Sequence, residues 1–451
     1  MKVSKFLKVS AIAYAIALLT YFNSFIAAQE EFHSNILASI ALLAMFFNLG
    51  QTVVCYGYNG YIVYLKKSND IANNFKALIN KVKFGVLINA TLFIIGINIW
   101  GGYNLEETIS YLFISILGMI SGFIACGFYA LGKSNLAIVI EKCNVVSITI
   151  SLFLVIVGWQ ENVIRMSVII ASIFVCFSLF KLISTLSISN SSADNIKNEY
   201  YNGKFFFYNS VNALCSYLFL FLDQWIISTT KESGLYLGVY FLAIQIINFL
   251  KYTQTQTSKL LLASITRVSD EYFRKITLVY MSITTLVILI VLPFKYIGLD
   301  LNSRLYFSYD NIDLIVYFVT MTTLGVVYNQ FLIFLGDVKD LTKCNLYIFS
   351  SYLILLLIYI FFNESIELRD LLLIKCISGF IGQLVLLKRI TVISQVKGNS
   401  YFLFYFLNTI SLITCIVLNE NIYVEISVVM MLIFIINLKK KIYVEHNRNI
   451  N

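Results

Sequence analysis

Proline is almost missing from this chain, with Pro293 alone among 451 residues, and histidine is nearly so, with only His33 and His446. Charge is scarce as well: 13% of residues are Asp, Glu, Lys or Arg, against roughly a quarter in soluble domains. Two histidines without Cys/His ligand spacing exclude an ordinary zinc or haem site, and no cofactor is expected. The eight cysteines (Cys55, Cys126, Cys143, Cys176, Cys215, Cys344, Cys376, Cys415) all fall inside apolar runs, so none is placed for an extracellular disulfide. No hydrophilic stretch is long enough to bury a core of its own, since independent domains need about 50 residues. An attached catalytic domain is therefore excluded. Only Pro293 can kink a span through proline, so any bend elsewhere must use glycine, such as Gly118, Gly122, Gly325 or Gly379.

Apolar residues are what the chain has instead, 59% of the total. They fall into runs of about 18 to 25, the length that crosses roughly 30 Å of hydrocarbon. The reading is an all-α integral membrane protein with about 14 transmembrane helices. Spans are expected at 6–28, 34–56, 82–100, 108–131, 138–158, 166–187, 205–228, 235–252, 276–294, 312–335, 344–362, 368–387, 401–418 and 422–438. Only Asn419, Glu420 and Asn421 separate the last two, a spacing that also suits a re-entrant hairpin. The first apolar stretch lacks a small-residue cleavage site and reads as the first helix. The positive-inside rule tests this map. With the N-terminus inside, 27 Lys and Arg lie on inner segments, five (Arg165, Lys231, Lys295, Arg304, Arg369) on outer ones, and Lys375 within a span. Both termini are thus expected in the cytoplasm of a multi-pass inner-membrane protein. The net charge of +9 then serves an anionic lipid surface, and no nucleic-acid partner is expected.

A Ser- and Asn-rich break, LSISNSSADNIKNEYYNG from Leu186 to Gly203, follows the sixth span. The sequences on either side echo each other. Lys142-Cys143-Asn144 opens span five and Lys343-Cys344-Asn345 opens span eleven, 201 residues later. Each is preceded by a Gly-bearing stretch read as a cytoplasmic turn, GKSNLAIVIE and GDVKDLT. The expected organisation is an N-lobe over 1–187, a cytoplasmic linker over 188–204, a C-lobe over 205–390 and an extra helix pair over 401–438. Six spans per half give both halves one orientation, as in transporters built from parallel repeats around a central cavity.

One motif is dismissed on context. Gly127 to Ser134 satisfies the phosphate-loop pattern G-x-x-x-x-G-K-[ST], but it closes an apolar span, whereas that chemistry needs a strand-to-helix loop. Ionisable groups inside spans carry more weight, because each is costly in hydrocarbon. Asp223 lies about five residues inside span seven, roughly 7 Å deep, and Lys375 about seven residues inside span twelve, roughly 10 Å deep. Asp223 is the only acid expected well inside a span. The pair is read as cation- or proton-responsive, or as binding an anionic substrate. The competing reading is a structural ion pair or a snorkelling lysine. Amides form a second group: Asn48 and Gln51, Asn209 and Asn212, Gln245 and Asn248, Asn329 and Gln330, several at helical spacing. They suit a cavity that binds sugar hydroxyls, or bonding between helices.

At span seven the residues take on a familiar pattern. YLFLFLDQWIIST followed by GLYLGVYFLAIQIINFL resembles helices seven and eight of Wzx-type polysaccharide-unit (O-antigen repeat-unit) flippases. That family belongs to the multidrug/oligosaccharidyl-lipid/polysaccharide exporter superfamily. Asn48-Leu49-Gly50 is similar too, while Gln224 stands where members of that family often carry Arg after the acid. The resemblance implies a transporter rather than an enzyme. Its cargo would be a polyprenyl-diphosphate-linked oligosaccharide moved from inner to outer leaflet by alternating access, with membrane lipids and polysaccharide polymerase or chain-length machinery as partners. Lys8, Lys251 and Lys375 would complement the diphosphate, and amides and tyrosines the sugars; Gln224 is a further candidate for binding substrate or ion. Two other readings stay open: a multidrug or organic-cation antiporter of the same superfamily, and a polysaccharide polymerase or ligase.

Overall fold

A computed structural model describes residues 3–27, 34–67, 91, 105–158, 162–189, 203–228, 236–248, 270–296, 307–308, 310–334, 338–363, 365–394, 399–418 and 422–448. Fourteen helices account for nearly all of them, and no strand occurs among the described residues. In chain order they are α1 (Val3–Ala27), α2 (Ser34–Lys67), α3 (Leu105–Ala130), α4 (Ser134–Glu141), α5 (Cys143–Ile156), α6 (Val163–Ser189) and α7 (Gly203–Ser228). There follow α8 (Tyr236–Asn248), α9 (Asp270–Tyr296), α10 (Ile312–Phe334), α11 (Val338–Phe362), α12 (Leu368–Ser394), α13 (Asn399–Leu418) and α14 (Tyr423–Arg448). Expected span three (82–100) and most of the linker 188–204 lie outside the described residues.

Seven described helices are long and apolar enough to cross a membrane, and the bent pair α4–α5 makes an eighth. Their outward faces are what lipid requires. On α6, Ile169, Ile173, Phe177, Phe180 and Ile183 are all exposed, and their spacing of three or four puts them in one stripe. A stripe of that size in water would drive association, whereas hydrocarbon solvates it.

The chain divides into two compact units, Met1–Phe241 and Leu242–Asn451. In the first, α2 is the central strut, packed against α3 and α7. The α2–α3 contact is backbone on backbone: a Cβ added at Gly50 would overlap the Ser115 carbonyl oxygen, and one at Gly118 the Phe47 carbonyl oxygen. Glycine at both points permits the approach that small residues give membrane helices. Helix α7 is tied to α2 by the Tyr217 hydroxyl, which donates to the Met45 carbonyl at 3.1 Å. The Phe46 and Trp225 rings meet edge to face with centroids 5.1 Å apart.

In the second unit, α10 packs on α12, α9 on α14, and α11 on α12. The Cys376 thiol reaches the Leu314 carbonyl at 3.5 Å. Phe273 stacks on Tyr328 with centroids 5.8 Å apart, and Phe404 on Phe434 at 4.6 Å. Helices α13 and α14 are two separate elements with their own buried faces.

Three expectations change. GKSNLAIVIE is not a turn: only residues 131–133 turn, with Gly132 at φ +73°, and SNLAIVIE forms α4 with Ala137, Ile138, Ile140 and Glu141 buried. In the second half, α11 likewise begins at Val338, so VKDLT is helical. A bend away from Pro293 is expected to use glycine, yet the helices that hold Gly118, Gly122, Gly325 and Gly379 run unbroken. The 56° bend falls at Lys142, between α4 and α5. Gly118 serves close packing instead, because a residue without Cβ is needed where two backbones meet.

Candidate functional site

Helix α7 owes its place to Tyr217, Phe221, Trp225 and Ile227, which are buried. That packing carries the neighbouring Asp223 and Gln224 inward, both at 0% exposure. The Tyr240 hydroxyl, from α8, donates to Asp223 Oδ2, and the Gln224 backbone N–H lies 2.9 Å from Oδ1. Trp225 Nε1 donates to the Tyr217 hydroxyl at 3.1 Å, which passes its own proton to Met45. Gln224 is the exception in this web. Neither its Nε2 nor its Oε1 has a hydrogen-bond partner among the described residues.

The second polar centre of this unit is the α4–α5 break, where sequence reading missed Glu141. Glu141 is buried, and its Oε2 accepts from the Tyr129 hydroxyl at 3.0 Å. Gln51 Nε2 donates to the Glu141 carbonyl at 2.7 Å, so an α2 amide satisfies a carbonyl left free by the bend. On α1, Asn23 Nδ2 donates to the Val145 carbonyl at 3.2 Å. Glu141 thus joins Asp223 as a buried acid of this unit. The signal available beforehand was an acid closing an apolar run, A-I-V-I-E, directly before the basic residue taken as the helix start.

In the second unit, Lys375 is 1% exposed and has an interaction partner, so it does not snorkel. It stands beside Cys376, which bonds the first turn of α10. Hydroxyls and amides bridge the helices nearby. Tyr317 and Thr409 lie 2.9 Å apart, Thr320 and Ser427 3.4 Å, and Tyr423 donates to Asn408 Oδ1 at 3.4 Å. Helices α13 and α14 also enclose a groove of about 370 Å³. Its walls are apolar (Leu403, Leu407, Met430, Ile433), and Ser400, Asn437 and Lys440 lie at one end.

The other expected residues divide. Gln245, on α8, is buried. Asn48 donates to the Ala44 carbonyl of its own helix at 2.7 Å, a local bond that gathers no site. Lys8 lies on α1, and Lys251 lies outside the described residues. Among the described residues no group of three or more His, Cys, Asp or Glu is arranged to hold a metal. The phosphate-loop match stays dismissed: Gly127 closes α3, Ser134 opens α4, and Lys133 reaches Thr185 at 3.4 Å.

No family model matches the chain, and no curated protein sequence matches it. Solved structures do. The lipid II flippase MurJ in an inward closed conformation is 16% identical, with a TM-score of 0.60 over 97% of this chain and 99% of that one. A multidrug-resistance MATE transporter of the MOP superfamily in an outward-facing conformation is 14% identical, with a TM-score of 0.53 over 84% and 93%. A eukaryotic MATE transporter is 13% identical, with a TM-score of 0.55 over 86% and 93%. At these identities the likeness is one of architecture: this multi-pass membrane chain has the fold of the MOP-superfamily transporters.

Proposed function

We propose that the chain is a flippase for lipid-linked oligosaccharides, carrying polyprenyl-diphosphate-linked units from the inner to the outer leaflet of the cytoplasmic membrane. The observation that carries this reading is the α13–α14 groove. Apolar walls suit a hydrocarbon chain, and a lysine with two polar neighbours at one end suits an anionic or hydroxyl-bearing group. A cargo with a lipid tail needs such a groove, whereas a small organic cation does not. The likeness in architecture to the lipid II flippase MurJ supports the same reading. The head group would cross by alternating access, with the tail held along the groove.

The test is the sidedness of lipid-linked sugar units in cells lacking the chain. Units that accumulate on the cytoplasmic face, shielded from an external probe, are the expected result. Units that gather outside without polymerising refute it in favour of a polymerase or ligase. Unchanged pools with raised drug retention refute it in favour of an antiporter.

A further inference from the structure

Single buried atoms of Asn23, Asn135, Asn144, Asn209 and Ser210 also lack a partner in the first unit, but among the described residues only Gln224 has both ends of its side chain unpartnered. A buried polar group without a partner is destabilising and calls for an explanation, and within a membrane no bulk water compensates it. Here both ends of one amide are orphaned, at 0% exposure. Its neighbours are well bonded: Asp223 has the Tyr240 hydroxyl, and Trp225 has Tyr217. Loose packing is therefore not the cause. A helix that secures residues 223 and 225 and leaves 224 unsatisfied is holding a group whose partner arrives in another state.

The chemistry of the amide narrows that partner. Nε2 only donates and Oε1 only accepts. A bare phosphate accepts only and would leave Oε1 orphaned. A metal cation needs oxygen ligands and would leave Nε2 orphaned. A sugar hydroxyl donates and accepts at once, so hydroxyls satisfy both ends. Trp225 and Tyr217, on the same helix, are held to α2 by Phe46 and the Met45 carbonyl. At 0% exposure Gln224 meets a ligand only when the packing around it opens.

We propose that Gln224 binds hydroxyl groups of the cargo's carbohydrate head during translocation, and that its unsatisfied amide is the stability sacrificed for that contact. This rests on the flippase reading above. It assigns Gln224 to the sugar part of the cargo.

The experiment pairs Gln224→Leu with Gln224→Asn in the purified full chain and in cells. Leucine keeps similar volume and removes both orphan atoms, so the apparent melting temperature rises by about 2 °C or more. Transport of lipid-linked units falls to about a tenth or less, the effect of two lost hydrogen bonds. Asparagine, which keeps the amide, retains part of the transport. A glycolipid extract from a polymerisation-deficient host raises the melting temperature of the unsubstituted chain by more than that of Gln224→Leu. The same extract stripped of sugar by mild acid shifts the two chains alike, and shifts the unsubstituted chain less than the intact extract does. A lower melting temperature for Gln224→Leu would mean the amide has a structural partner, and normal transport would mean a resident water or nothing satisfies it. A stripped extract that shifts the unsubstituted chain as much as the intact one would assign the site to phosphate or tail. Each of those results overturns the proposal. If even the unsubstituted chain fails to restore sidedness in deficient cells, the flippase reading has failed, and the thermal comparison still reports whether the amide is orphaned.

Discussion

Replacing Gly50 and Gly379 by alanine in turn should move stability in opposite directions, although both residues are glycines within helices. At Gly50 the new Cβ overlaps the Ser115 carbonyl oxygen and sits 2.8 Å from its carbon. The obstacle is backbone on a neighbouring helix, so no rotamer relieves it. Carbon and oxygen rest at about 3.3 Å, and α2 and α3 must part by roughly 1.5 Å. That separation loosens the most intimate helix pair of the first unit. Overpacking against flexible side chains costs about 1 to 3 kcal/mol, and a backbone clash belongs at the upper end. For a chain of 451 residues, about 3 kcal/mol corresponds to a fall of roughly 3 °C in melting temperature. At Gly379 the nearest atom is a Phe318 ring carbon at 3.5 Å, an ordinary contact. Alanine there gains about 0.5 to 1 kcal/mol of helix propensity. Thermal unfolding of the full chain in detergent measures both. Equal shifts for the two variants, or a stable Gly50→Ala, would show that the α2–α3 approach is not as close as described.

Other perturbations separate function from scaffold. Tyr240→Phe removes the donor to Asp223 and should lower transport at least tenfold, as expected for a hydrogen bond to an acid worth about 1.5 to 3 kcal/mol; transport assayed at matched protein level checks it. Lys375→Met should abolish transport while leaving protein in the membrane, and normal transport would assign Lys375 a structural role alone. Leu407→Trp should fill part of the α13–α14 groove and slow lipid-linked cargo, with little effect on melting temperature. Glu106→Ala breaks the ion pair with Arg165, whose side chains are both more than half exposed; the change should stay within about 1 kcal/mol by thermal unfolding.

Fold class was open to sequence reading because hydrocarbon imposes a length and a composition on every span. The limits of α13 and α14 agree with spans 401–418 and 422–438 at all but the C-terminal end of α14, which runs on through a basic tail to Arg448. Polar groups of the core were legible as types and not as partners. Asp223, Lys375, Gln51 and Gln245 are all buried, as groups that hydrocarbon penalises should be. Nothing local distinguishes Gln51, which bonds across to Glu141, from Asn48, which bonds back to its own helix. Glu141 itself was hidden by its flanks. Lys133 and Lys142 bracket α4 and give it the composition of a surface turn, whereas packing against α1 and α3 buries it. The orphaned amide of Gln224 is a fact about the absence of neighbours, which no periodicity encodes.

Glu141 also shows where the two Lys-Cys-Asn segments part company. Cys143 and Asn144 are buried on α5, and Cys344 and Asn345 are buried on α11, so the tripeptide occupies similar settings 201 residues apart. One residue earlier the likeness ends. Thr342 bonds the Val338 carbonyl of a continuous helix, whereas Glu141 ends a helix that bends by 56°. A threonine hydroxyl satisfied within its own turn needs nothing further, but a buried carboxyl and a broken backbone both require outside partners. Tyr129 and Gln51 supply them. A purely structural role for Glu141 therefore makes a specific demand. Glu141→Gln keeps the acceptor for Tyr129 and the backbone bond to Gln51, so stability should change by less than about 1 kcal/mol. If transport and its pH dependence are equally unmoved, the bend is scaffold. A flattened pH profile at unchanged melting temperature would make the carboxyl a proton-handling group, one that the second half of the chain, with Thr342 in its place, does not duplicate.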